Sequence, residues 1–475
     1  MRVVVASGVP LDSDSHVVTY ASCLARALVA EGHEVTLVIP RAEGDEVAIA
    51  SLKEADVAVE PIGRDLVASG AIAEDPDSVA QLARKSRAEI NELRRRCGVF
   101  FEALWKRTDP DFVIAINFLL IGSAAVVEAT RAKVASILVC HGTDIEHGVS
   151  KSEDLLELAR YASDGVKCIA TPSNVVRARV VNVVGVPAAR VRVQAPGVDT
   201  AAFWCPLFSE RKSNVIVIGE PSVESGAHIA IAAMSRVIDA IPDVKLTFIG
   251  DGPDVIALKR LVSAIDNDDD VGIKAAIASL ATTPEREALL APAMHEFFNA
   301  GRSAREILIR NIAKRVVFTG PVKESEVSGH MRASRLLVHP TLTPDWLPIH
   351  LYQALASGCS IASTRNGGAR DLLDWLSTCC PDDANHWSID SADPVASLAY
   401  CITTGVTSWN IAIAGQIAAL LAARHQWLSV AQRLLRNAPM RPRSSERRPP
   451  PRRARTSVSN LRAAERRKPS GAADR

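Results

Sequence analysis

The sequence predicts an α/β protein made of two doubly wound, parallel-sheet domains. Three observations carry this expectation. Short apolar runs alternate with segments of helical period along most of the 475 residues. The alternation restarts as a second series near residue 214, and turn residues mark most changes of period.

The first series opens with Arg2–Ala6 (RVVVA), a continuous apolar run of the kind found in strands buried on both faces. A polar loop leads into a helical pattern from about His16 to Ala30. Gly32 stops it, and Glu34–Pro40 (EVTLVIP) reads as the next strand. Strand, helix, glycine and strand within some 40 residues make a βαβ unit. Val57–Pro61 is a third strand, 77–107 a long helical region, Phe112–Ile116 a strand, Ser123–Lys133 a helix and Ala135–Cys140 a strand. Cys168–Thr171 and Val191–Gln194 complete this half. The apolar stretch Phe112–Val127 is broken by Asn117, Gly122 and Ser123, so it reads as strand, turn and helix start, not as a membrane span.

The second series places strands at Asn214–Gly219, Lys245–Gly250, Arg315–Thr319, Leu336–His339 and Ser360–Ser363. Helices fall near 227–239, 324–332 and 348–357, with another starting at Gly368. Residues 263–312 are too long for one βα connection and read as an inserted helical subdomain or lid. The expected organisation is a first domain over 1–200, a second over 201–425 containing that insertion, a helix over 426–439 that crosses back, and a tail over 440–475. Two such domains create a cleft at the carboxyl ends of their strands, where ligands bind.

Composition narrows the class further. Hydrophobic residues are 48% and charged residues 23%, which suits a globular core. The net charge of +1 hides an asymmetry: residues 440–475 hold eleven Arg and one Lys against three acids, a net +9, which leaves −8 for the body. This Arg-, Pro- and Ser-rich tail is expected to be disordered. Its charge alone would suit anionic lipid or nucleic acid, but it lacks the interleaved aromatics of a specific nucleic-acid reader. Nine cysteines without a CxxC pair describe reduced thiols and a cytoplasmic protein, and no His/Cys cluster has zinc-ligand spacing. The opening MRVVVASGVPLDSDS reads as a first strand and loop, not as a secretory leader.

Several stretches, taken together and in order, resemble the retaining GT-B glycosyltransferases of family 4. In the first half these are GHEVTLVIP, DPDFVIAINFLLIGSA, LVCHGTD and TPSNVVRARVVNVVGVPAARVRVQAPGVDTAAF. In the second they are IPDVKLTFIGDGP, RVVFTGPVKESEV, LYQALASGCSIASTRNGGARDLL and HQWLSVAQRLL. The resemblance covers roughly residues 1–435 apart from the insertion. It implies transfer of a sugar from a nucleoside diphosphate sugar to an acceptor with retention, the acceptor being a saccharide, lipid or small molecule. No metal or other cofactor is implied, because in that family side-chain cations and helix N-termini stabilise the departing diphosphate.

The resemblance also implies site residues. His141 in CHGTD stands where the family has a histidine beside the reacting sugar; by itself it reads equally as a core histidine at a strand end. Asp345 and Gln353 stand at the two positions of a Glu-x7-Glu pair that contacts the donor. Gly250 and Gly252 match a Gly-Asp-Gly turn, and Gly367 and Gly368 a loop whose amides could face a phosphate. The departures are as informative. Glu220 stands where the family has Arg and Ser225 where it has Lys, a swing of three charge units beside a diphosphate. At an effective dielectric near 20 and about 5 Å, each unit is worth roughly 3 kcal/mol before screening. Pro348 replaces a glycine and removes an N–H, and Ser15-His16 replaces a Gly-Gly pair, with His16 read as an exposed loop residue ahead of a catalytic or binding one. Arg365 and Arg370 flank the Gly-Gly loop as substitute cations or as solvated surface residues.

Two functional readings follow. The first is a glycosyltransferase with His141 and Asp345 at the reaction centre. The second is a GT-B protein that has lost its donor grip and serves as a binding module or partner subunit. A phosphorylase- or epimerase-like relative is a third class that no residue specifically favours. The segment 85–107, basic and carrying Phe100, Phe101 and Trp105, is either a core helix with a solvated basic face or a peripheral contact with the inner face of a membrane.

Overall fold

The computed structural model describes residues 1–9, 16–40, 46–63, 76–206, 211–294, 297, 312–380 and 387–436. The expected tail at 440–475 and part of the insertion lie outside them. Thirteen parallel strands form two sheets among the described residues. The first contains β1 (Arg2–Ala6), β2 (Glu34–Pro40), β3 (Val57–Ile62), β4 (Phe112–Ile116), β5 (Ala135–Val139), β6 (Ile169–Thr171) and β7 (Val191–Val193), in the order β3-β2-β1-β4-β5-β6-β7. The second contains β8 (Lys212–Ile218), β9 (Lys245–Ile249), β10 (Val316–Phe318), β11 (Ser334–His339), β12 (Ser360–Thr364) and β13 (Ser388–Ile389), in the order β10-β9-β8-β11-β12-β13. The expected fold class is what is observed: two doubly wound sheets with helices on both faces.

In each sheet the strand order reverses once, between β1 and β4 and between β8 and β11. Such a switch point opens a crevice, because the connections on either side leave toward opposite faces. It puts the residues that follow β1, β4, β8 and β11 where a ligand can reach them.

The chain returns to the first lobe through the helix Trp427–Arg436. Its buried residues Trp427, Val430, Ala431 and Leu434 recur at helical spacing and join the core formed by Val3, Tyr20, Leu24 and Leu28. Val430 and Leu434 each contribute roughly 1.5–3 kcal/mol on burial. Tyr20 meets Trp427 edge-on at 5.0 Å, and Val198 donates its N–H to the His425 carbonyl at 2.7 Å, so the junction is both packed and hydrogen-bonded.

Several expectations need correction. The long helical region at 77–107 is two helices, Pro76–Ala83 and Arg87–Thr108, because Ser86 caps the second. Its hydroxyl receives the Glu89 N–H while the Glu89 carboxylate receives the Ser86 N–H, a reciprocal capping box that fixes a helix start inside an otherwise continuous pattern. Two helices, Pro394–Thr407 and Ile411–His425, and the edge strand β13 were not read from the sequence. Their apolar residues are spread widely around both helices, which blurs the period.

The described part of the insertion is helical and packs into the core of the second lobe instead of standing apart as a lid. It begins in the last turn of the helix Val255–Asp266 and continues through Asp270–Leu280 and Pro284–Met294, with Ile312–Arg315 before β10. Ile273, Ala276, Ile277, Leu280, Leu290 and Ala293 are buried in the same cluster as Val215, Leu246 and Phe248 of β8 and β9. The segment thickens the helical layer of the second lobe. A hollow of about 670 Å³ between its helices is lined by Ile277, Leu290 and Met294 together with Lys274 and Glu287.

In the helix Arg87–Thr108, Phe101 and Trp105 are core residues, and Arg87, Arg95, Lys106 and Arg107 each pair with a carboxylate. The geometry is that of a core helix with a paired basic face. Among the described residues no single helix is long and apolar enough to cross a membrane. All nine cysteines are free thiols.

Candidate active site

The site lies where the strand ends of the two sheets meet. From the first lobe, β5 runs into Cys140-His141-Gly142-Thr143-Asp144. Asp144 is 3% exposed, and its carboxylate accepts the N–H groups of Phe118 at 2.8 Å and Gly142 at 2.9 Å. Those bonds hold the turn that aims His141 and continue into a π-helical turn at Asp144–Val149, an irregularity often found at functional sites. Burial pushes the Asp144 carboxyl pKa up and raises the Cys140 thiol well above its ordinary range.

His141 is 4% exposed, and neither ring nitrogen has a hydrogen-bond partner among the described residues. Its ring meets Tyr20 edge-on at 4.7 Å. Burial, with a smaller effect from His16, lowers its pKa to about 3, so the imidazole is neutral at neutral pH. A buried imidazole normally bonds at least one neighbour. One with both nitrogens unpartnered, beside a hollow of about 10 Å³ lined by Val17, Asn117 and Thr143, is equipped to face a ligand. Gly142, at φ +110°, lies against the Trp346 side chain of the second lobe. A Cβ there would stand 2.8 Å from the indole, so glycine is what admits the contact. Trp346 thus joins the His141 loop to the loop that carries Asp345.

Asp345 follows β11, at the second switch point. Its Oδ1 accepts the Leu347 N–H at 3.0 Å, and its Oδ2 lies 3.3 Å from His339 Nε2. His339 ends β11, and His350 belongs to the first turn of the helix Ile349–Ala356. His350 Nε2 and His339 Nδ1 share a hydrogen bond of 3.1 Å. Burial pushes the Asp345 carboxyl up, but the close approach of His339 and the charges of His350 and His16 outweigh it and hold its pKa below the usual carboxylate range. Burial and the neighbouring His339 hold His350 well below the ordinary histidine value.

His16 corrects an expectation. It is no exposed loop residue: it opens the helix His16–Ala30, is half-buried, and its Nδ1 lies 2.9 Å from the Leu347 carbonyl across the cleft. Its ring stands 5.6 Å from that of His350. Sequence reasoning passed over His339 and His350. The readable signal was the pattern His-x5-Asp-x4-His, from a strand end through a loop into a helix.

The expected donor positions are placed as follows. Gln353 lies half-buried one turn beyond His350 on the same helix. Gly250 and Gly252 pack against the backbone of Gly219–Pro221, and Gly250 donates its N–H to Gly320 at 3.0 Å, so this turn supports the loop after β8. Glu220 is exposed. Ser225 is engaged locally: its hydroxyl accepts the Ser222 N–H at 2.9 Å and donates to the Ser222 carbonyl at 3.0 Å. At the Gly-Gly loop, Gly367 has φ +61°, and a Cβ there would overlap the Asp345 carbonyl. Gly368 donates its N–H to that same carbonyl at 2.7 Å, so this amide is committed to holding the Asp345 loop. Arg365 pairs with Asp374, while Arg370 is exposed at the start of the following helix.

A cation does approach the loop after β8, from the insertion. Arg286 pairs with Asp254, which is 5% exposed, and lies 2.9 Å from Glu224. Asp254 in turn accepts the Val223 N–H at 2.8 Å. The guanidinium is enclosed by two carboxylates, so this region is charge-compensated and adds no free positive charge.

Two doubly wound lobes with a cleft between their strand ends are the GT-B architecture. Residues 17–197 match the model of the glycosyl transferase 4-like domain and residues 288–404 that of glycosyl transferases group 1, and the chain belongs to these glycosyltransferases. No curated relative matches it significantly. Solved structures share its fold over nearly their whole length. Sucrose-phosphate synthase from Thermosynechococcus elongatus is 13% identical, covers 92% of this chain and 97% of its own, and superposes with a TM-score of 0.57. Anabaena Alr3699/HepE, solved with UDP and glucose, is 14% identical over 92% and 98%, with a TM-score of 0.57. The lipopolysaccharide outer core galactosyltransferase WaaB is 13% identical over 92% and 99%, with a TM-score of 0.53.

Proposed function

We propose that this glycosyltransferase moves a sugar from a nucleoside diphosphate sugar to a saccharide, lipid or small-molecule acceptor, with retention, and that it works in the cytoplasm. The second lobe receives the donor, and the sugar lies between Asp345 and His141. The observation that carries this reading is His141: a neutral, buried imidazole with both nitrogens unpartnered, set against the loop that bears Asp345. Such a group can accept from or donate to a sugar hydroxyl without a charge that would bind the diphosphate elsewhere. Anabaena Alr3699/HepE has been solved with UDP and glucose, and E. coli trehalose-6-phosphate protein with UDP-2-fluoro glucose, so the fold accommodates uridine diphosphate sugars and these are the first donors to try.

The test is a panel of UDP-, GDP- and ADP-sugars with varied acceptors, followed by proton NMR of the anomeric centre. Transfer with retained configuration, lost in His141→Ala, is the expected outcome. Absence of both transfer and hydrolysis across the panel contradicts the reading. A second reading, a GT-B binding module without catalysis, is favoured by Glu220, by the engaged Ser225 hydroxyl and by the committed Gly368 N–H. A folded, unmodified chain that neither binds nor turns over any sugar nucleotide in calorimetry would select it.

A further inference from the structure

We propose that His339, Asp345 and His350 bind one divalent transition-metal ion of the zinc type, and that the ion supplies to the donor cleft the positive charge that Glu220 and Ser225 do not. The second half of this inference rests on the donor reading above; the first does not.

The donor set is on hand. One ligand atom from each of the three residues can be chosen so that all lie within 4.8 Å of one another. His339 Nε2 and Asp345 Oδ2 are 3.3 Å apart, about the edge of a tetrahedron with bonds of roughly 2.0–2.1 Å. That same Nε2 is buried and makes no hydrogen bond of good geometry, and the group it faces at 3.3 Å is the Asp345 carboxylate. A buried ring nitrogen facing a carboxylate at ligand spacing is what a metal site presents before the ion arrives. Closing the triad requires His350 to turn away from His339 Nδ1, exchanging one hydrogen bond of 3.1 Å for a metal bond.

The surroundings fit. His16 comes from the opposite lobe, its Nδ1 2.9 Å from the Leu347 carbonyl and its ring 5.6 Å from that of His350. Two imidazoles and one carboxylate suit zinc and its first-row neighbours better than magnesium or calcium, which take oxygen ligands. Three protein ligands leave a fourth position for water or a donor oxygen, the arrangement of reactive zinc sites. A dication on Asp345, one of the two donor-contacting positions, would change the local charge by two units and so reverse most of the three-unit deficit left by residues 220 and 225.

The experiment is calorimetric titration of the chelator-treated full chain with zinc chloride, then with UDP-glucose in the presence and absence of zinc. One zinc per chain is expected, with affinity at least tenfold weaker in each of His339→Ala, His350→Ala and Asp345→Asn. Thermal melts confirm folding, and His339→Gln or His350→Gln replaces the alanine variant at the same residue if that one melts early. Cobalt should give the visible bands of a four- or five-coordinate site, lost in the same variants. Zinc binding together with at least tenfold tighter UDP-glucose binding supports both halves. Zinc binding without any donor binding keeps the metal site and removes the donor reading. Absence of stoichiometric binding by a folded chain, or zinc binding indifferent to all three substitutions, overturns the proposal whatever the donor titration gives.

Discussion

Replacing Arg286 with leucine should destabilise the second lobe by about 3 kcal/mol, the lower end of the range for removing one partner of a buried ion pair. The guanidinium side chain is 17% exposed and that of Asp254 only 6%, so the pair sits largely out of water. Leucine keeps much of the volume but leaves the Asp254 carboxylate buried with the Val223 N–H, at 2.8 Å, as its remaining bond. The contact with Glu224, whose side chain is 40% exposed, adds little, since exposed pairs contribute about 0–1 kcal/mol. At roughly 2–4 °C per kcal/mol for a lobe of this size, the melting midpoint should fall by about 6–12 °C. The assay is a thermal melt of the parent, Arg286→Leu, Asp254→Asn and the double variant. Adding Asp254→Asn to Arg286→Leu should recover part of the loss, because the orphaned charge is then gone. Hydrogen exchange should also rise at 219–226 and 284–294 together. A single variant within about 0.5 kcal/mol of the parent, the scatter of ordinary surface changes, would refute the reasoning and detach the insertion from the lobe.

Further predictions concern the loops and the histidines. Gly367→Ala forces a side chain onto the Asp345 carbonyl at a positive φ, and should cost about 1–3 kcal/mol of stability, read by chemical denaturation, as well as displacing the Asp345 loop. Acid should destabilise the fold well above the carboxylate range. His141 is held at about 3 by burial, and His228 and His425 at about 4, again chiefly by burial. Each lies below its unfolded value of 6.5, so the unfolded chain binds more protons between pH 6.5 and about 4, and stability falls as pH falls through that window. Three such groups give a slope approaching about 4 kcal/mol per pH unit, and denaturant midpoints at pH 7, 6 and 5 should show most of it. Midpoints that do not move over that range would contradict the burial of these rings. His141→Gln, isosteric in part and not titrating, should reduce the slope by about a third if all three contribute alike.

The alternation of apolar runs with helical period was enough to place most strands within a residue or two, because strands buried on both faces are continuous apolar runs and their turns are marked by glycine. Asn214–Gly219 was expected and Lys212–Ile218 is found; Leu336–His339 was expected and Ser334–His339 is found. The break at Ser86 was hidden because a capping box is a local hydrogen-bond pattern inside a segment whose period continues on both sides. The site was legible in part. His141 and Asp345 stand on motif positions, and the contact of Gly142 with Trp346 brings their loops together, while Gln353 lies half-buried on the helix Ile349–Ala356. His16, His339 and His350 were not assigned to the site, since a lone histidine carries no period. Their grouping depends on β11 ending at a switch point and on the opposite lobe approaching Leu347. Gly367 and Gly368 read from the sequence either as a phosphate-facing loop or as a strand-to-helix turn, and the structure shows the Gly368 N–H bonded to the Asp345 carbonyl.

Calorimetric titration of the full chain and of Asp345→Asn with UDP-, GDP- and ADP-glucose, each with and without zinc, tests the central claim most directly. A cleft built around Asp345 predicts one donor bound at micromolar concentration and at least tenfold weaker binding once the carboxylate becomes an amide. Heat signals indistinguishable from dilution for every sugar nucleotide, under both conditions and with the chain shown to be folded, would contradict it.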